Sequence, residues 1–277
     1  MLEPEKKIFL ESISKKIRKK CIDVAISKNP NATHLGGALS SIDILVMLYY
    51  QIMKYDVSKP EWELRDRFFL SKGHSILGYY SILSDIGYFS DEDLYSYGKN
   101  LTQLPGHPVR NKSLGIEFTN GSLGMGLGVA IGHALAAKRR NLKYHTYVLM
   151  GDGECNEGSV WEGAMAAPHF ELNNLTAIID NNGLQQTGSN NEILKVEDFV
   201  KRFESFGWEA VQVDGHNHAD LYSALVFKES KKPRIIIAKT VKGKGFSFTE
   251  GNNSWHHGVM TKDLYNLAID ELNQKND

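Results

Sequence analysis

HTYVLM at 145–150 runs directly into GDGECNEG at 151–158, and LTAIIDNN at 175–182 again ends an apolar run on polar, turn-forming residues. Both apolar runs are rich in the β-branched and aromatic residues that favour strands. The segment between them reads as a helix, so the unit is strand, helix, strand, which predicts two parallel strands joined by a crossover. Parallel neighbours end on the same edge of a sheet. Asp152 and Asn182, thirty positions apart, are therefore expected to converge in the crevice outside the strand ends.

Working outward, RFFLS at 67–71, EAVQV at 209–213 and PRIIIAKT at 233–240 supply further short strands. Residues 8–26 place Ile8, Ile13, Ile17 and Val24 among lysines and read as an amphipathic surface helix. IDILVMLYYQIM at 42–53 reads as a buried helix that Ser40 or Ser41 would cap. SDEDLYSYG at 90–98 opens a capped helix, and LYNLAIDELNQ at 264–274 forms the last one. NGSLGMGLGVAIGHALAAKRR at 120–140 is glycine-rich, as expected of a helix packed under a loop that approaches a ligand. The class is α/β, with a mainly parallel sheet flanked by helices. No repeat, low-complexity tract or linker divides residues 1–277, which are expected to form a single domain.

Composition narrows the partners. With 32 basic and 33 acidic residues the formal net charge is −1, so no general attraction for nucleic acid or an anionic membrane is expected. No segment approaches the ~20 apolar residues of a membrane span, and the amino terminus lacks the apolar core of a secretory signal. The two cysteines, Cys21 and Cys155, make no CxxC pair and fit a cytoplasmic protein.

The paired strand ends carry the chemistry. Asp152 offers a charge and Asn182 a neutral oxygen, and Gly183 lets the chain turn so that the Leu184 carbonyl faces the same point. Oxygen donors in this number suit Mg²⁺ completed by phosphate and water. Gly151 and Gly153 leave room for a diphosphate against bare amides, and a helix starting near Asn156 aims its positive end there. Either motif alone is as readily a plain turn; the pairing gives the reading its weight. His34, His74 and His107 each lie in a glycine-containing loop, where a catalytic side chain can project from a scaffold, although a lone histidine is more often structural. Cys155 reads as a tolerant position, Trp161 and Met165 as core. Lys239, Lys242 and Lys244 read as a solvated cluster, with Lys242 beside Gly243 placed to approach the diphosphate.

GDG followed after about thirty residues by NN resembles the thiamine-diphosphate motif, and the rest of the chain resembles the transketolase family almost end to end. Residues 29–46 are similar to its first histidine loop, DRFFLSKGH at 66–74 to its second, and LPGHP at 104–108 to its third. NGSLGMGLG at 120–128 is similar to its glycine turn, and KTVKGKG at 239–245 with WHHG at 255–258 to its last segment. The resemblance implies a three-layer thiamine-diphosphate-binding fold. It implies thiamine diphosphate and Mg²⁺ as cofactors, the ion on Asp152, Asn182 and the Leu184 carbonyl. It places Gly151, Gly153, Glu154, Asn182, Lys242, His74 and His256 at the cofactor, with Gly121 and Leu123 at its aminopyrimidine. His34 and His107 would contact the sugar donor, His74 and His256 the reacting centre, and Glu157 a carboxylate network between paired sites. His257 stands open as the alternative to His256.

The family's pyrimidine-type domain has no counterpart here, so the resemblance implies a heterotetramer with a separate C-terminal transketolase subunit, working on small sugars or sugar phosphates. THLGG and Ser122 stand where many one-chain members have a proline, which leaves the ketose and aldose open. Other readings are the alpha-type subunit of a 2-oxo acid dehydrogenase, a deoxyxylulose-phosphate synthase-like chain, an NAD-dependent oxidoreductase reading the glycines from Gly124 as a dinucleotide turn, and a scaffold without catalysis.

Overall fold

Strands and helices alternate along most of the chain. The computed structural model describes residues 1–226 and 230–274. In order the elements are α1 Pro4–Ser27, α2 Gly36–Ser40, α3 Ile42–Met47, β1 Arg67–Leu70, α4 Ile76–Asp85 and α5 Asp91–Leu94. There follow α6 Met125–Arg139, β2 Thr146–Gly151, α7 Gly158–His169, β3 Leu175–Asn181, α8 Asn190–Ile193 and α9 Phe199–Phe206. The chain continues with β4 Glu209–Asp214, α10 His218–Leu225, β5 Arg234–Lys239 and α11 Lys262–Gln274.

The five strands form one sheet in the order β1-β2-β3-β5-β4, every pair parallel. Both faces are covered, so the central strands read as unbroken apolar runs instead of alternating with polar residues. Tyr147, Leu149, Ile178, Ile236 and Ala238 point into a core shared with α1, α3, α4 and α10. Val148, Met150, Ala177, Ile179, Ile235 and Ile237 point the other way, against α6, α7 and α9. Helix, sheet and helix make the three expected layers. Burying each of these branched side chains contributes about 1.5–3 kcal/mol, and truncating one such as Ile237 to Ala costs ~2–5 kcal/mol. Register brings Gly151 beside Asp180 and Asn181 beside Lys239, so the carboxyl ends of β2, β3 and β5 form one rim.

Several local expectations change. In α1 the inward stripe is Leu10, Ser14, Ile17, Cys21 and Val24, and Ile8 is 65% exposed. The alternating steps of four and three from Leu10 hold one helical face, and Ile8 falls outside it. Neither Ser40 nor Ser41 caps a helix through its side chain: the Ser41 hydroxyl donates to the Gly37 and Ala38 carbonyls, and Ser40 turns to Asp180. α5 does carry the anticipated capping box, between Ser90 and Asp93. Trp161 packs against Phe203 and Phe206, but Met165, one turn further along α7, is 55% exposed. No helix among the described residues is long and apolar enough to cross a membrane.

Candidate active site at the carboxyl rim

Asp180, the penultimate residue of β3, is fully buried and organises the rim. Its carboxylate pairs with the Lys72 ammonium from the end of β1 and accepts from Thr240 after β5 and from Ser40 at 2.6 Å. Asn182 Nδ2 lies 3.3 Å from the same carboxylate, and Lys72 also donates to the Gly37 carbonyl at 3.1 Å. Burial alone would raise the Asp180 pKa; the Lys72 ammonium and the hydroxyls hold it below the usual carboxylate range. One charge thus joins the ends of three strands to α2. Sequence reading missed this group, because the acid of IIDNN and the lysine of LSKGH stand 108 residues apart.

The second carboxylate is Asp152. Its oxygens accept from the Gly153 amide at 2.8 Å and from the Gly183 amide at 2.6 Å, so the GDG and NNG turns meet as the strand pairing requires. Burial, then the neighbouring Asp180, raises the Asp152 pKa; a cation at this place would relieve that cost. Asn182 Oδ1 accepts from the Leu184 amide at 3.1 Å, and Gly183 turns the chain with φ of +79°. Nearby in the chain, the buried Asn156 Oδ1, Gln185 Nε2 and Asn190 Oδ1 have no hydrogen-bond partner. No group of three His, Cys, Asp or Glu among the described residues is arranged to hold a metal. The donor set, one carboxylate with amide and carbonyl oxygens, fits a hard ion that takes its remaining ligands from phosphate and water.

Lys242 closes this corner. The residue is 2% exposed, and its ammonium donates to the Gln185 carbonyl and Asn253 Oδ1, both at 2.8 Å, and lies 3.2 Å from His256 Nδ1. Burial and then Lys72 lower its pKa to about 8. Unlike exposed Lys239, it is not part of a solvated cluster. Because an ammonium only donates, His256 Nδ1 accepts and the ring proton sits on Nε2.

Five histidines from four loops gather beside it. His34 has its ring centroid 6.0 Å from His74, 5.6 Å from His107, 5.5 Å from His256 and 4.4 Å from His257, and His74 lies 5.1 Å from His256. A two-way backbone bridge between Thr33 and Gly258, 2.8 and 3.0 Å, holds the first and last loops together. Asn120 anchors the His107 loop by donating from its backbone to the Pro108 carbonyl at 3.0 Å. Burial, followed by its histidine neighbours, lowers the His34 pKa to about 4; burial and then Lys242 do the same to His256. Burial and Lys72 push His74 well below the usual value. The inner rings are therefore neutral at pH 7, while His107 and His257 lie exposed at the mouth. The two adjacent rings of WHHG have different neighbours: His256 faces Lys242 and His74, and His257 faces His34.

Other predicted positions lie differently. Glu154 accepts from the Gly124 amide at 2.8 Å, the Gly151 amide at 3.0 Å and the Ser71 hydroxyl, so its oxygens brace the glycine turn from within. Gly126 donates to Ser71 Oγ at 3.1 Å, and a Cβ there would lie 2.3 Å from that oxygen. The first amides of α6 are thus committed to the protein's own side chains, unlike a dinucleotide turn that must present them to a ligand. Gly121 is exposed and Leu123 half-buried in the loop before α6. Glu157 is exposed at the start of α7, outside the histidine group. Cys155 is fully buried and burial raises its thiol pKa, which removes it as a nucleophile.

A family model described as "Transketolase, thiamine diphosphate binding domain" matches residues 11–273. The chain belongs to the transketolase family. It is 40% identical over 268 residues to one of the subunits of the apulose-4-phosphate transketolase of Phocaeicola vulgatus, covering 96% of this chain and 94% of that one. It is 38% identical over 244 residues to the 6-deoxy-6-sulfo-D-fructose transketolase subunit SqwG of a Clostridium strain, covering 87% and 89%. The crystal structure of transketolase from Campylobacter jejuni superposes with a TM-score of 0.88 at 31% identity, over 95% of this chain but 42% of that chain. The fold that the resemblance implied is thereby established, and the chain spans about two fifths of that solved transketolase.

Proposed function

We propose that this chain, as one domain of the diphosphate-binding type, is the N-terminal subunit of a two-part transketolase. With thiamine diphosphate and Mg²⁺ it would pass a two-carbon ketol unit from a ketose to an aldose. The observation that carries the proposal is the meeting of the Asp152–Gly183 corner, Lys242 and the histidine group on one rim. When bound, thiamine diphosphate supplies the nucleophilic carbon and the electron sink for cleaving and forming the carbon–carbon bond.

The chain's own residues supply the rest. Asp152, Asn182 and the Leu184 carbonyl would hold the ion, and the Gly151 and Gly153 backbone with Lys242 would hold the diphosphate. Gly121 and Leu123 would lie along the aminopyrimidine, and Glu157 would reach towards a paired site. His34, His74, His107 and His256 would bind the sugar hydroxyls and move protons at its carbonyl oxygen. A neutral imidazole carries both an N–H donor and a nitrogen acceptor, so the buried rings can give and retake a proton without a charged resting state.

A partner is supported by the naming of the two relatives as subunits. It is supported also by the exposed face of α6, where Met125, 51% exposed, lies in helical register with the small exposed residues Gly128, Gly132 and Ala136. A C-terminal, pyrimidine-type subunit is the proposed cover, in a heterotetramer, and the cytoplasm the proposed location. Those two relatives are named for ketoses with a terminal phosphate or sulfonate, which makes anionic ketoses the first substrates to assay. The test is ketol transfer by the chain mixed with its partner, thiamine diphosphate and Mg²⁺. Transfer from any ketose supports the reading; no transfer, with NAD reduction in its place, reverses it.

A further inference from the structure

Behind the rim lies a buried polar group that the proposed chemistry does not use. Asp43 on α3, 3% exposed, accepts from both terminal guanidinium nitrogens of Arg18, at 2.6 and 3.1 Å, and from His216 Nδ1 at 2.7 Å. The other ring nitrogen, His216 Nε2, accepts from the Val241 amide at 2.9 Å. Arg18 Nε donates to the Lys244 carbonyl at 3.0 Å. Asp43 therefore grips, through two side chains, both flanks of the turn that carries Lys242. Backbone bonds fix the same turn from within, from Gly243 to the Gly36 carbonyl and from Gly251 to the Lys242 carbonyl, both 2.9 Å.

We infer that His216 is a positioning residue whose single tautomer, Nδ1–H to Asp43 and bare Nε2 to Val241, sets the turn that delivers Lys242 to the diphosphate corner. The tautomer follows from the partners. A peptide N–H can only donate, so Nε2 must be unprotonated, and a carboxylate can only accept, so Nδ1 carries the proton. No rotation about the ring axis satisfies both otherwise. His216 touches neither the histidine group nor Asp152, and it acts through Val241 on Lys242. The inference rests on the proposed cofactor reading, since the turn matters only if Lys242 meets a diphosphate.

Two substitutions separate the ring's two ends. H216Q places an amide oxygen near the position of Nε2 and keeps an acceptor for Val241, whereas H216N keeps a donor near Asp43 and leaves Val241 unpaired. Calorimetric titration of the full chain with inorganic pyrophosphate and Mg²⁺, beside amide hydrogen exchange at Val241, reads both. H216N is expected to bind about three- to tenfold more weakly, the range of one lost hydrogen bond. Its Val241 amide exchanges faster, and H216Q stays within about twofold of the unsubstituted protein. Unchanged binding by H216N, or equal loss in both variants, overturns the inference. Should the unsubstituted chain bind no pyrophosphate even with its partner, the cofactor reading fails, while Val241 exchange still decides whether His216 holds the turn.

Discussion

The Gly183 amide donates to the Asp152 carboxylate across 2.6 Å, so two turns thirty positions apart in sequence share one hydrogen bond. Parallel pairing of β2 with β3 dictates that meeting, since Gly151 stands opposite Asp180. Asp152→Ala removes the only charged donor proposed for the ion and leaves the Gly153 and Gly183 amides without their acceptor. Thiamine diphosphate affinity in the presence of Mg²⁺ is expected to fall by roughly 10- to 100-fold, the worth of a charge-assisted contact. Chelator should then make little further difference. Calorimetry with and without chelator checks it, and an unchanged Mg²⁺ dependence in the variant removes Asp152 from the metal.

Lys72 and Asp180 form the buried ion pair under the rim. Lys72→Met leaves a carboxylate at zero exposure facing only hydroxyl and amide donors. Breaking one side of such a pair costs about 3–5 kcal/mol, or roughly 10 °C of melting temperature in a chain of this size. The double change Lys72→Met with Asp180→Asn is expected to recover much of that loss, because neither member of the pair is then left as an uncompensated charge. Thermal unfolding of the three variants measures it; a double variant no more stable than Lys72→Met contradicts the assignment.

The five strands and the shared edge were readable because β-branched runs and turn residues act locally: VLM, AII and III mark their strands whatever surrounds them. Register was harder. Nothing within 8–26 distinguishes Ile8 from Leu10 until α3 and α4 take one face of the helix. The polar groups that organise the site were least legible, since Asp43 meets His216 across 173 residues and Lys72 meets Asp180 across 108. A charged residue in a buried run is the available clue: Asp43 within IDILVM, and Asp180 closing LTAII, are each too costly to bury unpaired. The histidine loops were recognisable one by one through resemblance, but their gathering around His34 required the fold.

His34 and His256 give the protein a predictable acid response. In the unfolded chain both rings take up a proton near 6.5; in the folded chain burial and neighbouring basic groups hold them neutral down to about 4. Between those values the unfolded state binds more protons, so stability rises with pH across about 4–6.5 and is lost as pH falls through that window. Melting temperature measured from pH 7.5 to 5 is expected to drop on acidification. Replacing both residues by Gln should flatten that part of the profile. A slope unchanged in the double variant would assign the acid loss to other groups.

His256 and His257 adjoin in sequence but face different neighbours, which separates their expected phenotypes. His256 Nδ1 lies 3.2 Å from the Lys242 ammonium, which leaves the ring proton on Nε2 for the transfer step proposed for it. His256→Gln should lower kcat by about 100-fold, the usual scale for a proton-transfer group, and weaken cofactor binding by disturbing Lys242. His257 is exposed and packs on His34 at 4.4 Å, away from Lys242. His257→Gln is expected to leave cofactor affinity unchanged and raise KM for the ketose, with kcat within about threefold, because it removes binding contact and not proton transfer. Steady-state kinetics of both variants with the partner subunit, beside cofactor titration, decides the matter. If His257→Gln suffers the loss of kcat and cofactor affinity while His256→Gln is spared, the two roles must be exchanged.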